Sequence, residues 1–426
     1  VSPLVPIDEV LGLTLGATAP LEPVVVELDE SLGCVLAEMV IAADDVPPFS
    51  NSSMDGYAVR SADTLGAPVV LRVVDTALAG RPSSLFVGAG EAIRIMTGAV
   101  LPSGADAVCM VERTHTEDRG ATVVIDTTVG PGQFVRAPGD DLRSGSLVFD
   151  EGAVLGPAHV GVLASLGHST VRVHPRPRVG VLSTGDELTE GPRPLAPGQI
   201  RDSNRHALLG LVRSSGFVGV DLGIVPDDRD QLTASLHEAG ASCDAVLTSG
   251  GVSVGDADLV KVVLEELCGG TMRSLSVAVR PAKPFAFGRL AATSTPVFGL
   301  PGNPVSSLIS FELFVRPALR QMAGHASRFR PVVAAIADEP LERAFDAKVH
   351  VVSVRARIGD DGRVHVSVAG VQASHVLSSM ACANALVLLP DGNGVAAGGE
   401  VETLILDADS LGGVGAIVTV PPAVSA

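Results

Sequence analysis

The chain predicts a multidomain α/β protein in which a doubly wound α/β region sits between β-rich blocks. Between residues 177 and 322, short apolar strand runs alternate with helical patterns, the signature of a largely parallel sheet covered on both faces. Residues 69–149 break into short alternating runs separated by turns, which predicts a self-contained β-rich block. After Arg330 the helical patterns stop and strand runs follow, which predicts a small all-β C-terminal domain. A length of 426 residues fits two to four such domains.

The N-terminal residues 1–22 predict a helix, with Pro6 near its start and Val10, Leu11, Leu13 and Leu15 along it. Val24–Leu28 predicts a strand, and Ser31–Met39 a turn with a short strand. Asp44–Arg60 reads as a long irregular loop that holds Tyr57, the single tyrosine, and such loops in compact chains carry function. In the β-rich block, Val69–Val74, Glu91–Met96, Ala107–Val111 and Ala121–Ile125 are strand runs, with a hairpin turn at Asp118-Arg119-Gly120. Gly152–Val173 gives a helix that stops at Gly167, then a strand.

From Pro177 the texture changes. Val179–Leu182 predicts a buried strand, Ser203–Ser215 a helix capped by Asp202 or Ser203, Val218–Val225 a strand and Arg229–Ala239 a helix. Ala245–Leu247 predicts a strand, and Val260, Val263, Leu264 and Leu267 the apolar face of the next helix. Val297–Leu300 runs into Pro301-Gly302-Asn303-Pro304, with Asn303 placed as N-cap and Pro304 as first residue of a helix over Val305–Met322. Beyond it, Val332–Ile336, Val349–Ile358, Arg363–Ala369, Ala385–Leu389 and Glu400–Leu406 are strand runs, with a hairpin turn at Asp360-Asp361-Gly362.

Composition narrows the function. A net charge of −18 argues against nucleic acid, whose binders present a basic face, and against anionic membrane surfaces. The five cysteines are scattered and never form a CxxC pair, so reduced core thiols of a cytoplasmic protein are expected. No apolar run approaches the length of a membrane span and no signal-peptide pattern is evident.

Four loops follow the strands of the α/β region: STGDEL (183–188), PDD (226–228), TSGGVSVGDAD (248–258) and LPGNPVSS (300–307). Ligands of open α/β sheets bind outside the carboxyl ends of strands. The glycines and hydroxyls of Ser183, Thr184, Gly185, Ser249, Gly250, Gly251 and Ser253 suit an anion, because free backbone N–H groups at a strand–turn–helix junction aim at one. Asp256 and Asp258 in the third of these loops add carboxylates that an anion alone does not call for, and hard oxygen donors favour Mg²⁺ bridged to phosphates. Neither GxGxxG, GxxxxGK[ST] nor HExxH occurs, which speaks against a dinucleotide fold, a Walker NTPase and a histidine zinc site. Arg280 and Lys283 stand together as a candidate anion clamp.

The ordered set PPFSNSSMDGYA (47–58), RIMTGA (94–99), STGDEL, SGGVSVGDAD and LPGNPVSS resembles the molybdopterin molybdenumtransferases, which include the E domain of gephyrin. The resemblance covers nearly the whole chain. It implies four domains: a molybdopterin-binding α/β domain (1–22 and 174–328), an elongated dimerisation domain (23–41 and 147–173), a β-rich lid domain (42–146) and a C-terminal β-barrel (329–426). It implies a homodimer that inserts molybdate into adenylylated molybdopterin, releases AMP and uses Mg²⁺, with a molybdopterin adenylyltransferase as candidate partner. Carried over by motif, Asp55, Thr97, Glu187, Asp228 and Asp258 are implied catalytic residues, with Glu187 and Asp258 on the metal. Asp141, Arg280, Lys283, Pro301, Pro304, Arg355 and Ser374 join the loop residues above on the substrate. Three positions depart from the family pattern: Ala282 replaces a loop glycine, Ser50 stands where Asp is common, and Ser276 where some members have Lys. If position 282 needs a positive φ, Ala strains the turn that aims Lys283. The alternatives are a scaffold homologue that binds molybdopterin without reaction, and a molybdopterin adenylyltransferase.

Overall fold

The computed structural model describes residues 3–250 and 259–412. The chain divides into two compact units, one of residues 1–24, 33–35 and 174–426, the other of residues 25–32 and 36–173.

The larger unit is built on a seven-stranded sheet in the order Leu4–Val5, Arg273–Val277, Pro284–Arg289, Pro296–Leu300, Ala245–Ser249, Arg178–Thr184 and Val218–Val225. The last four strands are mutually parallel, whereas Pro284–Arg289 runs antiparallel to both its neighbours. Alternate residues of these strands serve opposite faces. Val181, Leu247 and Phe298 join the core beneath the Asn204–Ser214 helix and the 304–322 helical stretch, and Leu182, Val246 and Val297 join the one beneath Arg229–Ser242 and Leu259–Leu267. Both faces are covered, as the doubly wound reading requires.

The helices depart from expectation in three places. The N-terminal helix is only Ile7–Gly16, because Leu4–Val5 pairs with Ser276 and Val277 as an edge strand. The helix after LPGNP runs from Pro304 to Met322 but contains a π turn at Phe311–Val315. A short helix, Leu377–Ala381, interrupts the all-β C-terminal region. There, Val349–Ile358, Val364–Val368, Val332–Ala337, Glu400–Ile405 and Ala385–Leu389 pair in sequence, and the first pairs again with the last. That closes a five-stranded barrel around Ala335, Val354, Val366, Val387 and Ile405, and closure leaves no bare edge among those five.

The smaller unit carries a six-stranded sheet in the order Thr114–Glu117, Thr122–Ile125, Val69–Ala77, Glu91–Ile95, Gly56–Val59 and Ala107–Met110. The loop expected over Asp44–Arg60 thus holds a strand, Gly56–Val59, that is buried along its whole length. Tyr57 and Val59 pack to one side and Ala58 to the other. Four cysteines are buried, as expected of core thiols, and Cys382 is exposed.

Candidate functional site

In the larger unit the carboxyl ends of three adjacent parallel strands come together. Gly250 follows Ala245–Ser249 and its N–H donates to Leu300 O at 3.1 Å, tying that loop to LPGNP. Its φ of +96° is ground that L side chains rarely adopt, and an added Cβ would lie 3.2 Å from Thr184 O. Ser183, Thr184 and Ser249 are all buried at these strand ends. Ser183 Oγ donates to Asp202 Oδ1 at 3.1 Å.

Asn204, which sequence reading passed over as part of a helix start, fastens these loops together. Its Nδ2 donates to Ser249 Oγ at 2.9 Å and to Gly302 O at 2.7 Å. Behind it Arg205 is buried and pairs with Asp202 at 2.9 Å, and also with Asp221 and Glu190. Burial raises the Asp221 carboxyl, but the Gly223 N–H and Arg205 bring it below the usual range. Asp202 also accepts from the Arg205 N–H, so the capping expected of it is present.

Glu187 lies on the adjoining loop and is exposed. Its carboxylate folds back over Gly185, whose φ is +140°, and an added Cβ there would stand 2.5 Å from Oε2. Asp228 caps the next helix, accepting from Gln231 N at 2.9 Å. That is a structural job beside the expected catalytic one. Gly251, Ser253, Asp256 and Asp258 lie outside the described residues. Among the described residues no group of three acidic, histidine or cysteine side chains gathers as a ready metal cage.

Asn303 opens the next helix through its backbone, which accepts from Ser307 N at 3.0 Å, and its side chain makes no capping bond. Pro304 is the first helical residue, as read, and Pro301 is buried. Val305 N donates to Ser374 O at 3.1 Å, which joins this corner to the barrel. Here a cavity of about 750 Å³ opens between the 279–284 turn, Asn303, Ser306 and the barrel residues 340–353 and 368–380. It gathers Arg280, Lys283 and Ser374, and leaves out Arg355, whose Nε donates to Cys382 O at 3.1 Å.

The barrel supplies further basic side chains that sequence reading missed. Arg343, Lys348 and His350 line the cavity with Arg280 and Lys283, against a single carboxylate, Glu342. Asp346 anchors this wall: it meets Lys348 at 3.0 Å, His350 and Arg343 at 3.1 Å, and Arg280 at 3.9 Å. Burial raises its carboxyl, yet the bonds from Lys348 and His350 outweigh that and bring it down to about 2. Ala282 has a φ of +86°, so the left-handed turn anticipated at this position is present. That conformation costs an L residue roughly 1–2 kcal/mol. The Ala282 methyl is buried in the core, and one buried methyl is worth about 0.8 kcal/mol, which offsets much of the strain. Val277 N donates to Lys283 O at 2.7 Å and keeps the turn in place.

The smaller unit presents a separate polar pair. Gly56 registers opposite Ile95, which brings Asp55, just before one strand, level with Thr97, just after the other. Thr97 donates to Asp55 Oδ1 through its N–H at 2.7 Å and its Oγ1 at 2.8 Å. These bonds, the backbone one foremost, hold the Asp55 carboxyl below its ordinary value. Asp141 is exposed, and its N–H donates to Val46 O at 2.9 Å.

Comparison with known proteins gives the following. Residues 5–167 match the sequence model of the MoeA N-terminal region (domain I and II), 180–321 that of a probable molybdopterin binding domain, and 346–406 that of the MoeA C-terminal region (domain IV). The chain is 37% identical over 386 residues to a molybdopterin molybdenumtransferase of Haemophilus influenzae, covering 90% of this chain and 94% of that one. It is 39% identical over 390 residues to molybdopterin molybdenumtransferase 2 of Mycobacterium tuberculosis, covering 89% and 94%. A crystal structure of a molybdopterin biosynthesis MoeA protein from Pyrococcus horikoshii OT3 superposes with a TM-score of 0.76 at 30% identity, over 95% of this chain and all of that one.

Proposed function

The chain belongs to the MoeA family of molybdopterin molybdenumtransferases, and we propose that it inserts molybdate into adenylylated molybdopterin with release of AMP. The observation that carries this reading in the structure itself is the basic cavity. A protein of net charge −18 brings Arg280, Lys283 and Lys348 to one space, beside strand-end loops rich in hydroxyls and backbone N–H groups. Such a wall works against the overall field and selects an anionic ligand. Adenylylated molybdopterin and molybdate are both anions.

In this reading Ser249, Gly250 and the LPGNP turn hold the pterin phosphate, with Asn204 fixing their spacing. Arg280 and Lys283 clamp the anionic substrates, and Ser374 lines the same cavity. Asp55 acts as a carboxylate held in place by Thr97, and Asp141 and Arg355 contribute from outside the cavity. Glu187 is an exposed hard oxygen donor beside the phosphate loops, which fits Mg²⁺ by donor chemistry, and Asp258 is the second expected ligand. When bound, Mg²⁺ offsets charge on the phosphates and assists the departure of AMP. The four-domain partition and the cytoplasmic location belong to the same proposal. Among the described residues no helix is long and apolar enough to cross a membrane.

The test is AMP release from adenylylated molybdopterin and molybdate by purified Glu187→Gln and Asp258→Asn proteins. Loss of turnover in each, with the fold retained by circular dichroism, supports the assignment. Wild-type turnover in both removes it.

A further inference from the structure

At the far end of the helix that begins at LPGNP, Glu312 is buried within the π turn and meets two guanidinium groups, Arg330 through paired bonds of 3.0 Å and Arg316 at 4.0 Å. Arg320 stands beside both, with its Nε donating to Ser327 O at 2.7 Å. Three guanidinium charges against one carboxylate leave a net charge of +2. Among the described residues no other carboxylate lies within ion-pair distance of the three. His325, which follows on the turn, adds no counter-charge.

The excess charge is not simply solvated. Arg316 is 7% exposed and His325 9% exposed, and Arg316 Nε and His325 Nδ1 are enclosed without a hydrogen-bond partner among the described residues. Enclosed, unpaired donors and like charges brought together out of water both cost free energy, typically a few kcal/mol each. The cost is visible in the groups themselves. Burial, then neighbouring Arg330, pulls Arg316 down to about 10; burial, then Arg320 and Arg316, pulls His325 down to about 4. Glu312 offsets one of the three charges through the Arg330 pair that ties the 323–330 turn to the helix. Arg320 and Arg330 are partly exposed, the Arg330 side chain by 17%, so a solute reaches the cluster from that side.

We propose that Arg316, Arg320 and Arg330 form a second anion site, apart from the basic cavity, that takes a dianionic oxyanion of the phosphate type. Two negative charges match the local excess, and tetrahedral oxygens suit guanidinium forks. π turns recur at functional positions, which agrees with one being built in at Glu312.

The experiment follows thermal unfolding of the full chain carrying Arg280→Ala and Lys283→Ala, so that the cavity does not report. Inorganic phosphate is titrated against sodium chloride at equal ionic strength. The expected result is a saturable rise of about 2–4 °C by about 10 mM phosphate. Adding Arg320→Gln removes the rise, and adding Arg320→Lys retains it. An equal rise with Arg320→Gln, or no saturable rise at all, overturns the proposal. Equilibrium dialysis of labelled phosphate compares the same parent protein with and without Arg320→Gln. Loss of one bound phosphate per chain on that substitution supports the site, and equal binding by the two proteins sinks it.

Discussion

Asn204 joins two loops through one amide nitrogen, and both of its acceptors belong to the proposed phosphate cradle. Truncating it leaves Ser249 Oγ and Gly302 O short of a donor, which costs about 1–3 kcal/mol. Asn204→Ala is therefore expected to lower the denaturant midpoint and to raise KM for adenylylated molybdopterin; an unchanged KM would remove Asn204 from the cradle. Gly185 is a stricter position. At a φ of +140° and with Glu187 Oε2 2.5 Å from an added Cβ, Gly185→Ala must push the carboxylate away. AMP release is expected to fall at least about tenfold, a loss of roughly 1.4 kcal/mol in transition-state stabilisation. Retention of full turnover would mean that the position of Glu187 does not matter.

The barrel strand Val364–Val368 offers a pH-dependent element. His365 bonds Asp338 at 2.8 Å and Asp361 at 3.2 Å, and these bonds raise its pKa from 6.5. Arg357 also bonds Asp338, while Arg363 gives Asp361 its backbone N–H and pairs its guanidinium with Glu400. A raised folded-state value means the contribution is complete below about 6.5 and disappears as pH climbs through the folded pKa. Barrel stability in denaturant is expected to fall over that rise, and His365→Gln to flatten it; the same slope in both proteins would contradict the assignment. Elements like this strand were legible because period-two and 3.6 patterns report burial directly, as in Val179–Leu182 and the Val260, Val263, Leu264 face. The π turn was not legible, since its register depends on Glu312 turning inward to meet Arg330, a contact made only after folding. The site divides the same way. Gly185, Gly250, Arg280 and Lys283 carried local signals, whereas Lys348 and His350 became part of the site only when the barrel met the 279–284 turn. Their spacing of two, with His350 on the Val349–Ile358 strand and Lys348 just before it, was the available hint.

For the whole molecule, we propose that the homodimer implied by the family resemblance forms through the smaller unit. Ile41 and Leu147 face each other across a strand pair and are 55% and 52% exposed, and Val25 and Met39 are more exposed still. Apolar surface of this kind marks an interface. Light scattering is expected to give a dimer for the native chain and a monomer for Ile41→Asp with Leu147→Asp; a native monomer would contradict the dimer. In the proposed function the whole chain catalyses molybdenum insertion, rather than serving as a scaffold or adenylylating molybdopterin. Its most direct test supplies purified protein with adenylylated molybdopterin and Mg²⁺, with and without molybdate, and follows AMP and protein-bound molybdenum cofactor together. The transferase reading predicts molybdate-dependent AMP release matched by molybdenum incorporation. Binding of adenylylated molybdopterin with no AMP release under either condition would contradict it.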